Sequence, residues 1–249
     1  MAEAYHEDLA YIHDAGFGRF ARSAAPILLG ELRQRGLNNG PVIDLGCGSG
    51  ILAAEVSAAG YDVLGFDLSQ GMIALARKRA PKARFRRQSL WTVDFPRCVA
   101  VAAIGECFNF LFDGDHTDDA LGERFRRIYN ALCPEGLFLF DVAQPGRVPG
   151  SGVQHHYPEG EDWAVLVAVE EDRERRLLTR RITSFRKVGK LYRRDHVVHR
   201  LRLFAGSELA DRLRGLGFRV RLLRGYGALR FPPGYVALLA RKPEQGVQT

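Results

Sequence analysis

Val42-Ile43-Asp44-Leu45-Gly46-Cys47-Gly48-Ser49-Gly50 is the stretch that decides how the rest of the chain is read. Its first four residues predict a short buried strand that runs directly into glycines. Three glycines in five positions let the backbone take positive φ and let a ligand approach the main chain closely. Ile51 to Ala59 then reads as a helix closed by Gly60, which puts the glycines in a strand-to-helix turn. Such a turn can need glycine for its own geometry alone, but this density of glycine at a strand end favours ligand binding.

Moving outward, Tyr61 to Phe66 is a second strand ending at Asp67. Ser69 caps a helix that runs to about Arg79, and Pro81 stops it from continuing. Ala83–Arg87, Val99–Ile104 and Gly136–Phe140 are three more strands, the last ending at Asp141. Leu121, Phe125, Ile128 and Leu132 share one face of a helix between the fourth and fifth strands. Upstream, residues 18–35 read as a helix with Phe20, Ala24, Ile27, Leu28 and Leu32 near helical spacing, broken by Asn38-Asn39-Gly40-Pro41. Strands that alternate with helices predict a parallel sheet, and near-continuous apolar strands predict one covered on both faces.

The alternation stops after Asp141. Gln144 to Asp162 is a Gly- and Pro-rich loop, followed by three strands without helices, Trp163–Glu170, Leu177–Arg186 and Leu191–Phe204. Glu208–Leu216 is the last helix, and Phe218–Leu223 and Tyr235–Arg241 close the chain as a strand pair. Pro243 to Thr249 are expected to fray. The predicted class is therefore α/β. It is a doubly wound, Rossmann-like seven-stranded sheet with a terminal antiparallel β-hairpin and an inserted antiparallel β-meander. Three units are expected: an N-terminal helical lid (1–35), a body (36–145 and 205–249) and an inserted substrate-side meander (146–204).

Composition narrows the function. The chain has 249 residues, 46% hydrophobic and 26% charged, enough for a sizeable core and too few charges for overall disorder. No apolar stretch reaches the roughly 18–20 residues of a membrane span. Met1 to Asp14 lacks the basic and apolar regions of a signal peptide, so a cytoplasmic location is expected. Cys47, Cys98, Cys107 and Cys133 form no CxxC pair, and no Cys/His spacing suits zinc; no metal is expected. The net charge of +7 raises the question of nucleic acid. Its arginines are scattered, densest from Arg173 to Arg202, and no RNA-binding motif accompanies them. Oligomeric state is not legible.

The glycine stretch resembles the D-x-G-x-G-x-G loop of class I methyltransferases that use S-adenosylmethionine (SAM), with Asp44, Gly46, Gly48 and Gly50 at the motif positions. The resemblance implies SAM as cofactor, S-adenosylhomocysteine as product, and a small-molecule methyl acceptor. It implies that Asp44, Gly46, Cys47, Gly48 and Gly50 wrap the methionine and ribose of SAM. A carboxylate at the end of the second strand suits ribose hydroxyls, and Asp67 occupies the family's ribose position. Leu68, Met72, Ser89 and Leu90 are implied around the adenine, Ile104 and Gly105 at the end of the fourth strand, and Tyr11 in an aromatic lid with Tyr5, His13 and Phe17. Val99 departs from the family, which often has an acid there. A dinucleotide site is the competing reading, but Ile51 stands where its G-x-G-x-x-G/A pattern wants a small residue. The meander is similar in architecture to that of amino-sugar N-methyltransferases.

The acceptor should lie beyond the carboxyl ends of the strands. Glu106 and Asn109, after the fourth strand, are the polar catalytic candidates, with capping or loop hydrogen bonding as their alternative role. His199 is a candidate base because histidine changes charge near neutral pH, and Asp141 ranks behind these. Residue types alone leave N-, O- and C-methylation open. They also leave RNA as an alternative acceptor.

Overall fold

The computed structural model describes residues 6–114, 117–150 and 152–244; Tyr5 and the terminal stretch from Gln245 to Thr249 lie outside the described residues. Two helices open the described chain, α1 (Glu7–Phe17) and α2 (Arg19–Gln34). The helix predicted over 18–35 is thus preceded by a second one that breaks at Gly18. A Cβ on Gly18 would lie 2.4 Å from Ile51 Cδ1, so the glycine lets this joint sit against the loop after the first strand.

The central sheet then builds as β1 (Pro41–Leu45), α3 (Ile51–Ala58), β2 (Asp62–Asp67), α4 (Gln70–Arg79), β3 (Arg84–Arg87), β4 (Cys98–Ala103), α5 (Asp118–Ala131) and β5 (Leu132–Ala143). Ser69 caps α4 by accepting the Met72 N–H at 3.2 Å, and Thr117 does the same for α5 through Ala120. Leu132, grouped with the helix by its spacing, starts β5 instead. The inserted sheet has four strands rather than three: β6 (Gln154–His156), β7 (Trp163–Asp172), β8 (Leu177–Val188) and β9 (Leu191–Arg202). β6 escaped notice because three residues in a Gly/Pro-rich loop carry no readable period. The chain finishes with α6 (Gly206–Gly215), β10 (Arg219–Leu223), the two-residue strands β11 (Gly225–Tyr226) and β12 (Leu229–Arg230), and β13 (Tyr235–Arg241).

The seven-stranded sheet has the order β10-β13-β5-β4-β1-β2-β3. β1 to β5 run parallel, and β13 enters antiparallel between β5 and β10. The closing strand pair is joined by the β11–β12 excursion rather than a tight turn. Apolar residues coat both faces. Phe125 and Ile128 of α5 and Leu209 and Leu213 of α6 pack with Phe138 and Phe140 on one side. Leu28 and Leu32 of α2, Leu52 and Val56 of α3 and Ile73 of α4 cover the other. Every residue of β4 is buried, as a strand covered on both faces requires. The chain winds outward from β1 to β3 and then returns to β4, so β1 and β4 flank the switch point. A ligand crevice belongs at their carboxyl ends.

The four-stranded sheet β6-β7-β8-β9 is antiparallel throughout. It is joined to the central sheet by the segment after β4. Leu111 N–H donates to Arg200 O at 2.9 Å, and Phe110 bridges Leu201. Ile12 of α1 packs with Trp163 and Val165 of β7, so α1 spans from the central sheet to the inserted one. Among the described residues no helix is long and apolar enough to cross a membrane.

Candidate active site

A cleft opens at the carboxyl ends of β1, β2 and β4. Gly46 and Gly48 form one side, Asp67, Leu68, Ser69 and Met72 the next, and Gln88, Leu90 and Trp91 the far end. Ile104, Gly105 and Cys107 form the wall after β4, and Phe110, Phe112, Asp113 and His13 complete the lining.

The three loop glycines have different jobs. All hold positive φ: 65° at Gly46, 52° at Gly48 and 76° at Gly50. A Cβ on Gly46 would sit 2.5 Å from Cys107 Sγ, and one on Gly50 would sit 2.9 Å from Ala76 Cα. Those two glycines let the loop pack against the β4 turn and α4. A Cβ on Gly48 would meet no atom within 4 Å, so its α-carbon faces open cleft. Gly50 and Cys47 lie behind the lining; the Cys47 thiol is buried and pushed well up by that burial.

Asp67 holds this corner together. Its Oδ2 accepts the Gly48 N–H at 2.9 Å and its Oδ1 accepts the Ser69 N–H at 2.8 Å, which orients the carboxylate at the cleft rim. Its surroundings push its carboxyl up from the ordinary range, and the N–H groups of Ser69, Gly48 and Leu68 oppose that. Asp44 lies deeper. Its Oδ2 is buried without a hydrogen-bond partner, and burial, with the charge of Asp67, pushes its carboxyl up to about 8. A group protonated in the folded chain but ionised in the unfolded one above pH ~4 makes stability fall as pH rises from about 4 to about 8. Asp141, pushed up to about 6, acts in the same sense over the lower part of that window. We expect Asp44→Asn to flatten the pH dependence of Tm between 6 and 8; an unchanged slope would refute this account of Asp44.

These features fit SAM. Gly48 provides a side-chain-free surface and Asp67 an oriented carboxylate for two hydroxyls, whereas Asp44, expected from the sequence to touch the cofactor, is buried behind the lining. Leu68, Met72 and Leu90 supply an apolar slot for a purine. The end of β3 differs in detail from the sequence expectation. Ser89 hydrogen-bonds Asp113 and accepts the Trp91 N–H, while Gln88 and Asp113 line the cleft. No local sequence signal marks Asp113, since its approach to β3 depends on the course of the chain after β4.

Glu106, Asn109, His199 and Tyr11 are placed otherwise than expected. Glu106 is buried and held by Arg180 from β8, with Arg180 Nη1–Oε2 at 2.7 Å and Nη2–Oε1 at 2.9 Å. Burial alone would push its carboxyl up, but the Arg180 charge and hydrogen bond, with Arg147 and Tyr235, bring it below the usual range. It is an ionised strut, a poor base. Removing Arg180 leaves a buried carboxylate with only the weaker support of Arg147 and Tyr235; Arg180→Met should cost about 2–3 kcal/mol in chemical denaturation, less than for a fully enclosed pair because Arg180 keeps some exposure. Asn109 spends its whole amide on backbone: Nδ2 donates to Ala143 O and Arg202 O at 2.9 and 2.6 Å, and Oδ1 accepts the Ala143 N–H at 3.1 Å. This ties the end of β5 to β9 and leaves nothing for catalysis. His199 is buried edge-on to Phe110 and Phe112, behind the cleft wall. Tyr11 turns to the inserted sheet, donating to Asp162 Oδ2 at 2.9 Å beneath the Arg186 guanidinium.

His13, two residues further along α1, lines the cleft instead. Burial lowers its pKa to about 4, so it is neutral at neutral pH. Next to it, Asp14 receives both terminal nitrogens of Arg79 at 2.7 and 2.9 Å, and Arg79 also donates to Ser49 O. At the other end of α1, Asp8 pairs with Arg186 and Arg193. The helix is therefore pinned across the cleft mouth between the glycine loop and the inserted sheet.

Comparison with known proteins agrees with this geometry. Residues 42–136 match the family described as Methyltransferase domain. A methyltransferase of Geobacillus sp. strain WCH70 is 31% identical over 118 residues, 45% of this chain and 46% of that protein. A ubiquinone biosynthesis O-methyltransferase of Bradyrhizobium diazoefficiens is 36% identical over 136 residues, 53% of this chain and 48% of that protein. The matched region thus spans about half the length of these curated relatives. Among solved structures, a SAM-dependent methyltransferase from Clostridium acetobutylicum superposes with TM-score 0.78 at 17% identity, covering 94% of this chain and 97% of that one. The amino pentose methyltransferase CalS10 of Micromonospora echinaspora superposes at 0.73 with 20% identity, covering 97% and 100%. At these identities the likeness is one of fold.

Proposed function

We propose that the chain is a class I SAM-dependent methyltransferase that transfers the methyl group of SAM to a small-molecule acceptor through a nitrogen or oxygen nucleophile. The observation that carries this reading is the cleft at the carboxyl ends of β1, β2 and β4, where the bare α-carbon of Gly48 and the oriented carboxylate of Asp67 stand beside the apolar Leu68, Met72 and Leu90. Residues 36–145 and 205–249 would form the cofactor body, 1–35 the lid and 146–204 the acceptor-side insertion. Gly48 and Asp67 would hold the cofactor, with Leu68, Met72 and Leu90 around its purine.

When bound, SAM supplies a methyl group already attached to a sulfonium leaving group. The protein's share is then orientation and exclusion of water. α1, pinned by Asp14–Arg79 and Asp8–Arg186, closes the mouth. Glu106 is locked by Arg180 and its basicity lowered, so it would not deprotonate a hydroxyl well. An amine that arrives neutral needs no such base. This favours nitrogen over oxygen.

The basic stretch gives little support to a nucleic-acid acceptor. Arg176, Arg180, Arg181, Arg186, Arg193 and Arg202 are all paired with carboxylates of the same chain. Calorimetry with S-adenosylhomocysteine tests the cofactor, and mass spectrometry of amine and hydroxyl metabolites incubated with enzyme and SAM tests the acceptor. No binding by the wild-type protein would sink the proposal. Methylation of RNA with none in the metabolite panel would overturn its acceptor half.

A further inference from the structure

The cleft wall after β4 is a turn in an unfavourable backbone conformation. Gly105 has φ 98° and Glu106 has φ 62°, and the second is a region that side-chain-bearing residues adopt rarely. Such a conformation persists only where the surroundings over-determine it. Here Arg180 holds the Glu106 side chain, and one carboxylate holds the backbone N–H groups of the turn. Asp141 Oδ1 accepts the N–H groups of both Gly105 and Glu106, at 3.0 and 2.7 Å. Its Oδ2 accepts the Tyr226 hydroxyl at 2.9 Å.

Asp141 and Tyr226 are both buried, and neither lines the cleft. Ile104, Gly105 and Cys107, on the turn they hold, do line it. Tyr226 comes from β11, in the excursion of residues 224–234 between β10 and β13, and its ring packs edge-on against Phe231. The excursion thus carries a hydroxyl to a carboxylate 85 positions earlier in the chain. A neutral amide at 141 could not reproduce this, because its nitrogen would face a donor.

We propose that Asp141 and Tyr226 are positioning residues that hold the Gly105–Glu106 turn in the form the cofactor cleft requires, acting on the cofactor through that turn without touching it. The inference rests on the SAM reading of the cleft. It also gives the site a pH response. Burial, helped by the Glu106 charge and opposed by the Glu106 and Gly105 N–H groups and the Tyr226 hydroxyl, leaves the Asp141 carboxyl pushed up to about 6. Glu106 itself is held ionised by Arg180 and Arg147, with Tyr235 beside it, so it stays charged through this range. The Cys107 and Tyr226 side chains are pushed well above it by burial.

The test is calorimetric titration of wild type, Asp141→Asn and Tyr226→Phe with S-adenosylhomocysteine from pH 5 to 9. Wild-type affinity should fall as pH drops through about 6. Asp141→Asn should bind about tenfold more weakly at pH 8 and lose that inflection. Tyr226→Phe keeps the ring and its packing, so it stays folded even where Asp141→Asn does not. It should lose about three- to tenfold at pH 7 and move the inflection upward, because a group opposing the rise is gone. Titration of Asp44, near 8, is common to all three proteins and lies above this window. Wild-type binding with Tyr226→Phe unchanged in affinity and inflection would overturn the inference and leave the cofactor reading standing. No binding by the wild type at any pH would overturn the cofactor reading, and the inference with it.

Discussion

Asp67→Ala is expected to weaken S-adenosylhomocysteine binding by about a thousandfold while the protein still folds. The carboxylate would accept hydrogen bonds from both ribose hydroxyls, and each charge-assisted bond is worth about 1.5–3 kcal/mol. It also orders the site before any ligand arrives. With one oxygen on the Gly48 N–H and the other on the Ser69 N–H, it fixes the glycine loop against the turn into α4. Truncation removes the ligand contacts and loosens the loop that makes the others. The side chain stands at the cleft rim rather than in the core, so the thermal midpoint should move by only a few degrees. Asp67→Asn retains one acceptor and the size of the side chain and should fall between the two. Calorimetry and thermal unfolding on the same samples separate binding from folding. Retention of affinity within tenfold of wild type by Asp67→Ala would contradict the assignment of the ribose site.

A comparable effect is expected from two alanines placed two residues apart, with opposite consequences. At Gly48 the added methyl meets no protein atom within 4 Å. Its cost to folding is the left-handed conformation, about 1–2 kcal/mol. The methyl stands on the cleft surface, where the cofactor would have to approach the main chain, so binding should fall about a hundredfold or more. At Gly50 the methyl would come within 2.9 Å of Ala76 Cα, a backbone atom of α4 that cannot step aside. Strain from φ 76° and this overlap together should cost about 3 kcal/mol or more of stability. Gly48→Ala is thus a folded protein that fails to bind, and Gly50→Ala a protein that fails to stay folded. Equal melting points for the two variants, or normal binding by Gly48→Ala, would show that the loop does not face its ligand as described.

The catalytic candidates show where reading the chain stops. Glu106, Asn109 and His199 are reasonable choices by position: two follow a central strand of a doubly wound sheet, and one is a histidine on the inserted meander. Their roles turned on partners far away in sequence. Glu106 is neutralised by Arg180, Asn109 is consumed by Ala143 and Arg202, and His199 is walled off by Phe110 and Phe112. Tyr11 and His13 differ by two positions on α1, and the turn of the helix sends one to Asp162 and the other to the cleft. No pattern within α1 distinguishes them, because the choice depends on where β7 and the glycine loop lie on either side.

What the sequence alone determined is the part set by neighbours along the chain. A glycine's freedom at positive φ, the run of a buried strand into a helix, a serine cap and an acid at the next strand's end are all local. The loop from Asp44 to Gly50, Asp67 and the alternation of parallel strands with helices are therefore legible in the sequence. What only the tertiary structure decided is which polar side chains remain available. Burying a charge or an amide is tolerable only when it is satisfied, and its partner is drawn from whatever the fold brings near. Arg180 lies 74 positions from Glu106, and Tyr226 lies 85 from Asp141. Those pairings convert an apparent acid–base set into a frame, and leave the cleft its own glycines, Asp67 and His13.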